Sequence, residues 1–303
     1  MEHIIQVILQ YLSDKDKVYL LLTCKKFSKF IPNIIYTDVH SYDSVKHLNF
    51  ANNIKNIKLR ASNDKFTKQM LRRVTHLTFD YYFDQPISKF PRNLKCLTFI
   101  GTFNQTINNL PQSLTHLELG DHFNQTIDNL PPNLTHLSLR AYFNRPINNL
   151  PQKLTHLTLH SNFNQSIDNL PQSLTYLVLG DNFNQPINKL PQNLTHLTLH
   201  GSFNQPIDNL PRSLLYLKLD YGFNQPVDKL PQNLRYLTLG NNFNHSIDNL
   251  PQSLTHLVIG YSFSQSIDNL PRGLAHLQYK NVVYHGTEIL KIRFHKKMKT
   301  KFL

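Results

Sequence analysis

Phenylalanine recurs at 83, 103, 123, 143, 163, 183, 203, 223, 243 and 263, a step of 20 residues that never slips. Proline keeps that step from Pro91 to Pro271, and leucine keeps it from Leu94 to Leu274 and from Leu97 to Leu277. One unit, Phe123 to Tyr142, reads F-N-Q-T-I-D-N-L-P-P-N-L-T-H-L-S-L-R-A-Y. Ten such units without insertion or deletion occupy equal volumes and advance the chain by equal steps. A chain of this kind is a solenoid in which each coil is stable only against its neighbours.

The unit also says what a coil is made of. From His116 to Leu119 apolar residues alternate with polar ones, so Leu117 and Leu119 face one way and His116 and Glu118 the other. That predicts one short strand per coil, stacked in parallel. Pro111 and the polar run 124–129 suit neither a strand ladder nor a helix, so the return path is irregular. Phe123, Ile127, Leu130, Leu134, Leu137 and Leu139 are the expected core of one coil. The rhythm continues backwards: Ile54, Ile57 and Leu59 stand 20 residues before Val74, Leu77 and Phe79. Val45, Leu48 and Phe50 suggest a further strand out of phase. Residues 41–80 are therefore degenerate entry coils, 81–280 ten full repeats, and 281–303 a C-terminal cap and basic tail. Within that cap, 289–294 is a candidate closing strand.

Residues 1–40 follow a helical rhythm instead. Ile4, Ile5, Ile8, Leu9 and Leu12 fall on one face, and Ser13 with Asp16 three residues later marks a helix start. Val18, Leu21 and Leu22, then Phe27 and Phe30, continue the pattern until Pro32 ends it. Three short helices in so few residues are too small to stand alone and need a surface to pack on.

The pattern L-x-x-L-x-L followed by a Phe/Asn segment and a closing L-P resembles a leucine-rich repeat, and more specifically the FNIP repeat. F-N-Q-P-I at 183–187 and 203–207 carries that resemblance most directly. The Asn that ordinary leucine-rich repeats place after the last strand Leu is present only as Asn162, Asn182 and Asn242. The Asn that follows the repeated Phe is expected to supply the side-chain ladder in its place. The segment I-I-Q-V-I-L-Q-Y-L-S (4–13), with Asp16, Leu20 to Leu22 and T-C-K-K-F (23–27), resembles an F-box. Its opening Leu-Pro has no counterpart, because Met1 falls where the Pro would be. An F-box followed by FNIP repeats is a combination that resembles proteins of amoebae and of the large viruses that infect them.

These resemblances imply a fold class: a three-helix F-box-like segment followed by a leucine-rich-repeat-like parallel β solenoid of 20-residue coils. They also imply partners. An F-box docks a Skp-type adaptor and through it a cullin, here with Ile4, Ile5, Ile8, Leu9, Leu12 and Leu21. The chain would then be a substrate-recognition subunit of a cullin–RING ubiquitin ligase, with an unknown target protein on the solenoid. The alternative is a non-enzymatic FNIP-repeat binding scaffold whose F-box is vestigial.

Charge narrows the partners. The formal net charge is +13, yet residues 81–279 carry 12 Lys and Arg against 11 Asp and Glu. The excess sits at the ends, with 13 against 7 in residues 1–80 and 7 against 1 in 280–303. Nucleic acid is not the expected partner, because no basic groove can run along a neutral middle. It would need Lys291, Arg293, Lys296, Lys297, Lys299 and Lys301 to act together. No apolar run reaches transmembrane length and no secretory leader is legible. Cys24 and Cys96 suit free thiols in a reducing compartment. An intracellular, cytoplasmic location follows, in the host cytoplasm if the chain is viral.

Equal steps turn every sequence position into a stripe on the surface. The most conspicuous holds His116, His136, His156, Tyr176, His196, Tyr216, Tyr236 and His256, outward on the strand face. Flat amphipathic rings with hydrogen-bonding tips suit a protein target, flanked by Thr at 115, 135, 155, 175, 195 and 255. A straight column offers a metal two ligands rather than four, so neither metal nor cofactor is expected. Phosphate-binding glycine loops and nucleophile elbows are missing, and the Asp stripe from Asp128 to Asp268 reads as turn chemistry. The chain is not expected to be an enzyme.

Overall fold

The computed structural model describes residues 8–9, 11–17, 36–47, 54–280 and 282–289. Fourteen strands form one sheet in strict chain order. The first is β1 (Tyr36–Ser41), followed by a short helix α1 (Tyr42–Val45), β2 (Ile54–Ala61) and α2 (Lys68–Arg73). From β3 (His76–Phe79) to β13 (His276–Tyr279) every strand has four residues. Neighbours pair in parallel, His116 with His136, His136 with His156 and Tyr216 with Tyr236. The 20-residue clock is thus the register of the sheet.

Each strand from β3 to β12 buries its second and fourth residues and turns the first and third outward. Inside, the repeated Phe side chains form one column of parallel rings; Phe163 and Phe183 have centroids 6.2 Å apart and planes 6° apart. Leu134, Leu137, Leu139 and Ile127 close the core around Phe123. Leu130 and Leu210 are only half-buried, although the equivalent Leu150, Leu170 and Leu190 are buried. Both sit at the rim of the return path, where exposure depends on the side chains next door.

Polar side chains stitch the coils as the apolar ones fill them. Asn104 accepts the backbone N–H of Asn124 at 2.9 Å, and the same link repeats from Asp84 to Ser264. The expected Asn ladder is present, and Gln side chains such as Gln165 and Gln185 donate to the same oxygens. Ser173, Ser213 and Ser253 donate to a leucine carbonyl one coil back at 2.6 Å. Main-chain groups on an irregular path would otherwise lack partners.

At the two ends the pattern gives way. The entry strand is Tyr36–Ser41, inside the segment with the helical rhythm, and Tyr42–Val45 is helical where a strand over 45–50 was expected. Leu48 and Phe50 lie outside the described residues. Tyr36, Tyr42 and Val45 are buried, so this stretch does enter the core, in a different conformation. Moreover β2 meets β3 as Leu59 beside Leu77, two residues away from the 20-residue phase. The return path there is α2, capped by Thr67, whose hydroxyl accepts the Met70 N–H. A coil that returns through a helix need not keep the step of a coil that returns through Phe-Asn.

Of the strand expected over 289–294 only Ile289 lies among the described residues, and the last strand among them comes earlier. It is β14 (Val282–His285), which folds back antiparallel on β13, and residues 287–289 are helical. Lys280, at φ 48°, begins the reversal. Ile289 is buried, so its apolar character serves the core rather than a strand. Of the three helices expected in the N-terminal segment, helical backbone is present at 8–9 and 14–17; the remaining stretches lie outside the described residues.

Candidate functional site: the strand face and its histidine stack

The outward first residue of each strand builds the stripe. His116, His136 and His156 stack face to face, with ring centroids 4.1 and 4.2 Å apart and planes within 12°. Tyr176, His196, Tyr216, Tyr236 and His256 continue the column at 4.4 to 6.1 Å. All eight stripe residues therefore share one surface. The imidazoles point their nitrogens the same way rather than towards a common point. Among the described residues no group of three or more His, Cys, Asp or Glu is arranged to hold a metal ion.

A second layer of chemistry lies in the Thr-His dipeptide. Thr135 donates its hydroxyl to the Thr115 carbonyl at 3.1 Å, and its oxygen lies 2.9 Å from Nδ1 of His136. A hydroxyl has one proton: where the carbonyl takes it, Nδ1 of His136 carries the proton of this contact, and where Nδ1 takes it, the ring is protonated at Nε2. The same geometry holds at Thr115-His116, Thr155-His156, Thr195-His196 and Thr255-His256. With the hydroxyl on the carbonyl, each of these rings is the Nδ1–H tautomer and Nε2 is a bare acceptor. The dipeptide repeats visibly in the sequence, but its meaning needs the register that brings the previous carbonyl alongside.

Burial, joined by the neighbouring imidazoles, holds His116 and His156 below the usual histidine range and pushes His136, between them, down to about 4. The stack is neutral near pH 7. Burial raises the Cys96 thiol at the head of the same stripe. Beside the stack, the third strand positions Thr98, Glu118, Ser138 and Thr158 floor a shallow hollow of about 390 Å³ that reaches from Cys96 to Tyr176. Glu118 is held by Arg140, one coil further on, through Nε at 2.8 Å and Nη2 at 2.5 Å.

The adaptor residues expected in the N-terminal segment divide. Ile8 is 45% exposed, Leu9 is buried and Leu12 half-buried, whereas Ile4, Ile5 and Leu21 lie outside the described residues. Tyr11, beside them, is 85% exposed. What ties this segment to the solenoid is Asp14, buried to 2%. Its carboxylate accepts the Asp38 N–H of β1 at 2.7 Å and the Lys17 ammonium at 2.7 Å, and lies 2.9 Å from Nε2 of His40. In return Asp38 accepts the Asp14 N–H at 2.9 Å. The sequence offers no periodic signal for this lock, because it joins two segments of different rhythm.

A family model described as FNIP Repeat matches residues 89–122, 103–140, 123–162, 163–190, 188–222, 223–262 and 246–279, well over half of the chain. The chain belongs to the FNIP repeat family. Two proteins of Acanthamoeba polyphaga mimivirus that carry F-box names are similar to part of this chain. One is 34% identical over 93 residues, 30% of this chain and 36% of the relative; the other is 37% identical over 95 residues, 31% and 44%. The matches thus span less than half the length of these relatives. Among solved structures, CroV588, described as a novel circular LRR protein, is 39% identical with a TM-score of 0.60 over 75% of this chain and 40% of its own. An internalin from Listeria monocytogenes shares the fold alone, at 17% identity and a TM-score of 0.52 over 77% of this chain and 82% of that one. The fold is thus a leucine-rich-repeat-like parallel solenoid, and no helix among the described residues is long and apolar enough to cross a membrane.

Proposed function

We propose that the chain is a substrate-recognition subunit of a cullin–RING ubiquitin ligase. The N-terminal F-box-like segment docks a Skp-type adaptor and the strand face of the solenoid holds a target protein. The observation that carries the reading is the Asp14–Asp38 lock, which fixes a helical segment with outward-facing Ile8 and Tyr11 to the first strand of a binding surface. Fixed attachment is what such a subunit needs, because it works by raising the effective concentration of target lysines near a conjugating enzyme. The F-box names of the viral relatives support the same reading.

The test is a pull-down of Skp-type adaptor and cullin by the full-length chain beside its Ile8→Glu/Tyr11→Glu double variant. Both side chains are exposed, so charge there leaves the solenoid intact. Capture by the parent and loss in the variant is expected. Capture by neither leaves the FNIP solenoid as a binding scaffold without a ligase.

A further inference from the structure

The hollow beside the histidine stack has an unusual lining for a chain of net charge +13. No Lys or Arg lines it; its one charged group is Glu118, and its other polar groups are hydroxyls, imidazoles, one phenol and the Cys96 thiol, beside Leu97, Leu117 and Leu137. Glu118 Oε1 takes both bonds from Arg140, while Oε2 takes no hydrogen bond among the described residues. The Nε2 atoms of His116, His136 and His156 likewise have no protein partner among the described residues; they stand in a row about one strand spacing apart and are acceptors in the Nδ1–H tautomer. Tyr176 closes the row with an aromatic ring 5.4 Å from that of His156. A row of acceptors beside a carboxylate oxygen describes the complement of one side chain.

We propose that this hollow is a recognition site for an arginine side chain of a partner protein. A guanidinium supplies several donors in a plane and has no acceptor of its own. It is also more weakly hydrated than an ammonium, so it gives up less water on entering. Burial keeps the imidazoles neutral, so the arginine meets acceptors and not cations. The proposal rests on the reading of the strand face as the target-binding surface. It adds the chemistry that a target must present there.

Two measurements on the full chain test it. Long-range ¹H–¹⁵N NMR of the histidine rings should show Nε2 of His116, His136 and His156 unprotonated at pH 7; protonated Nε2 atoms overturn the proposal. A fluorescein-labelled Arg-Gly-Arg-Gly-Arg peptide is then titrated beside its lysine and citrulline counterparts. Binding is expected in the order arginine, lysine, citrulline. Glu118→Gln should weaken the arginine peptide about tenfold, the usual worth of a charged hydrogen bond. His136→Phe keeps a ring in the stack, removes one acceptor, and should weaken it several-fold. Arg140→Ala, which frees the second Glu118 oxygen, should tighten binding, a gain that a merely structural pair would not give. Equal affinity for the three peptides, or indifference to all three substitutions, overturns the proposal. The titration reads only the strand face and the adaptor pull-down only the N-terminal segment, so each can fail alone.

Discussion

The side-chain oxygen of Asn164 accepts the backbone N–H of Asn184 at 3.0 Å, one coil further on. It also accepts the Gln185 side-chain amide at 3.1 Å, while the Asn164 N–H is itself bonded to Asn144. Each rung therefore gives and receives in the same column. The return path, which has no strand ladder, is held by this polar spine and by the Phe stack beneath it.

Replacing Asn164 by Ala leaves the Asn184 N–H and the Gln185 amide without their acceptor, at about 1–3 kcal/mol. Asn164→Asp keeps the oxygen, as Asp84 does at the head of the ladder, and should lose clearly less. Urea denaturation of the two variants decides it: equal losses would mean that the ladder oxygen is not what stabilises the turn.

Acid should weaken the fold through the histidine stack. His136 is held near 4 against an ordinary 6.5, so between these values the unfolded chain binds protons that the folded chain refuses. Stability is full above about pH 6.5 and falls as the pH drops towards 4, with His116 and His156 adding in the same direction. The melting temperature should decline over that window. Replacing all three by Tyr, which the column already holds at 176, 216 and 236, should flatten the profile; an unchanged slope would place the sensitivity elsewhere.

Asp14→Ala removes the acceptor for the Asp38 N–H and the carboxylate beside the ammonium of Lys17, a residue only 5% exposed. Breaking a buried pair in this way costs about 3–5 kcal/mol. The loss should be local. Hydrogen exchange at residues 11–17 and 36–41 should accelerate while the amides of β5 to β12 keep their protection.

Gly201 is a further point of no tolerance. Its φ is +53°, and a Cβ there would stand 2.3 Å from the Asp181 carbonyl oxygen. Gly201→Ala should destabilise by about 2 kcal/mol or more. Gly273→Ala is the control, since the nearest atom to its Cβ would be 3.6 Å away.

Much of this was legible before the structure. Twenty-residue periodicity carries strand position, register and facing, because identical steps leave no freedom in how Leu117 meets Leu137. It carries the stripe from His116 to His256 for the same reason. Where the period is broken, local reading fails: Val45 is apolar at a strand-like spacing yet lies in α1, and Ile289 packs as core without extending a strand. The Arg140–Glu118 pair was out of reach for another cause. It joins a turn to the strand of the preceding coil at positions that differ from unit to unit, and periodicity is silent on what does not repeat.

The antiparallel turn of β14 on β13 ends a sheet that otherwise has only one direction. Every interior coil presents to the next the same edge that it receives from the last, so adding or deleting one whole unit would keep the repeated strand pairing and the Asn ladder. Such a gene can lengthen or shorten by recombination between its own copies and still encode a folded protein. The number of coils is then an inherited variable, while the lock at Asp14 and the reversal at Lys280 stay fixed at either end.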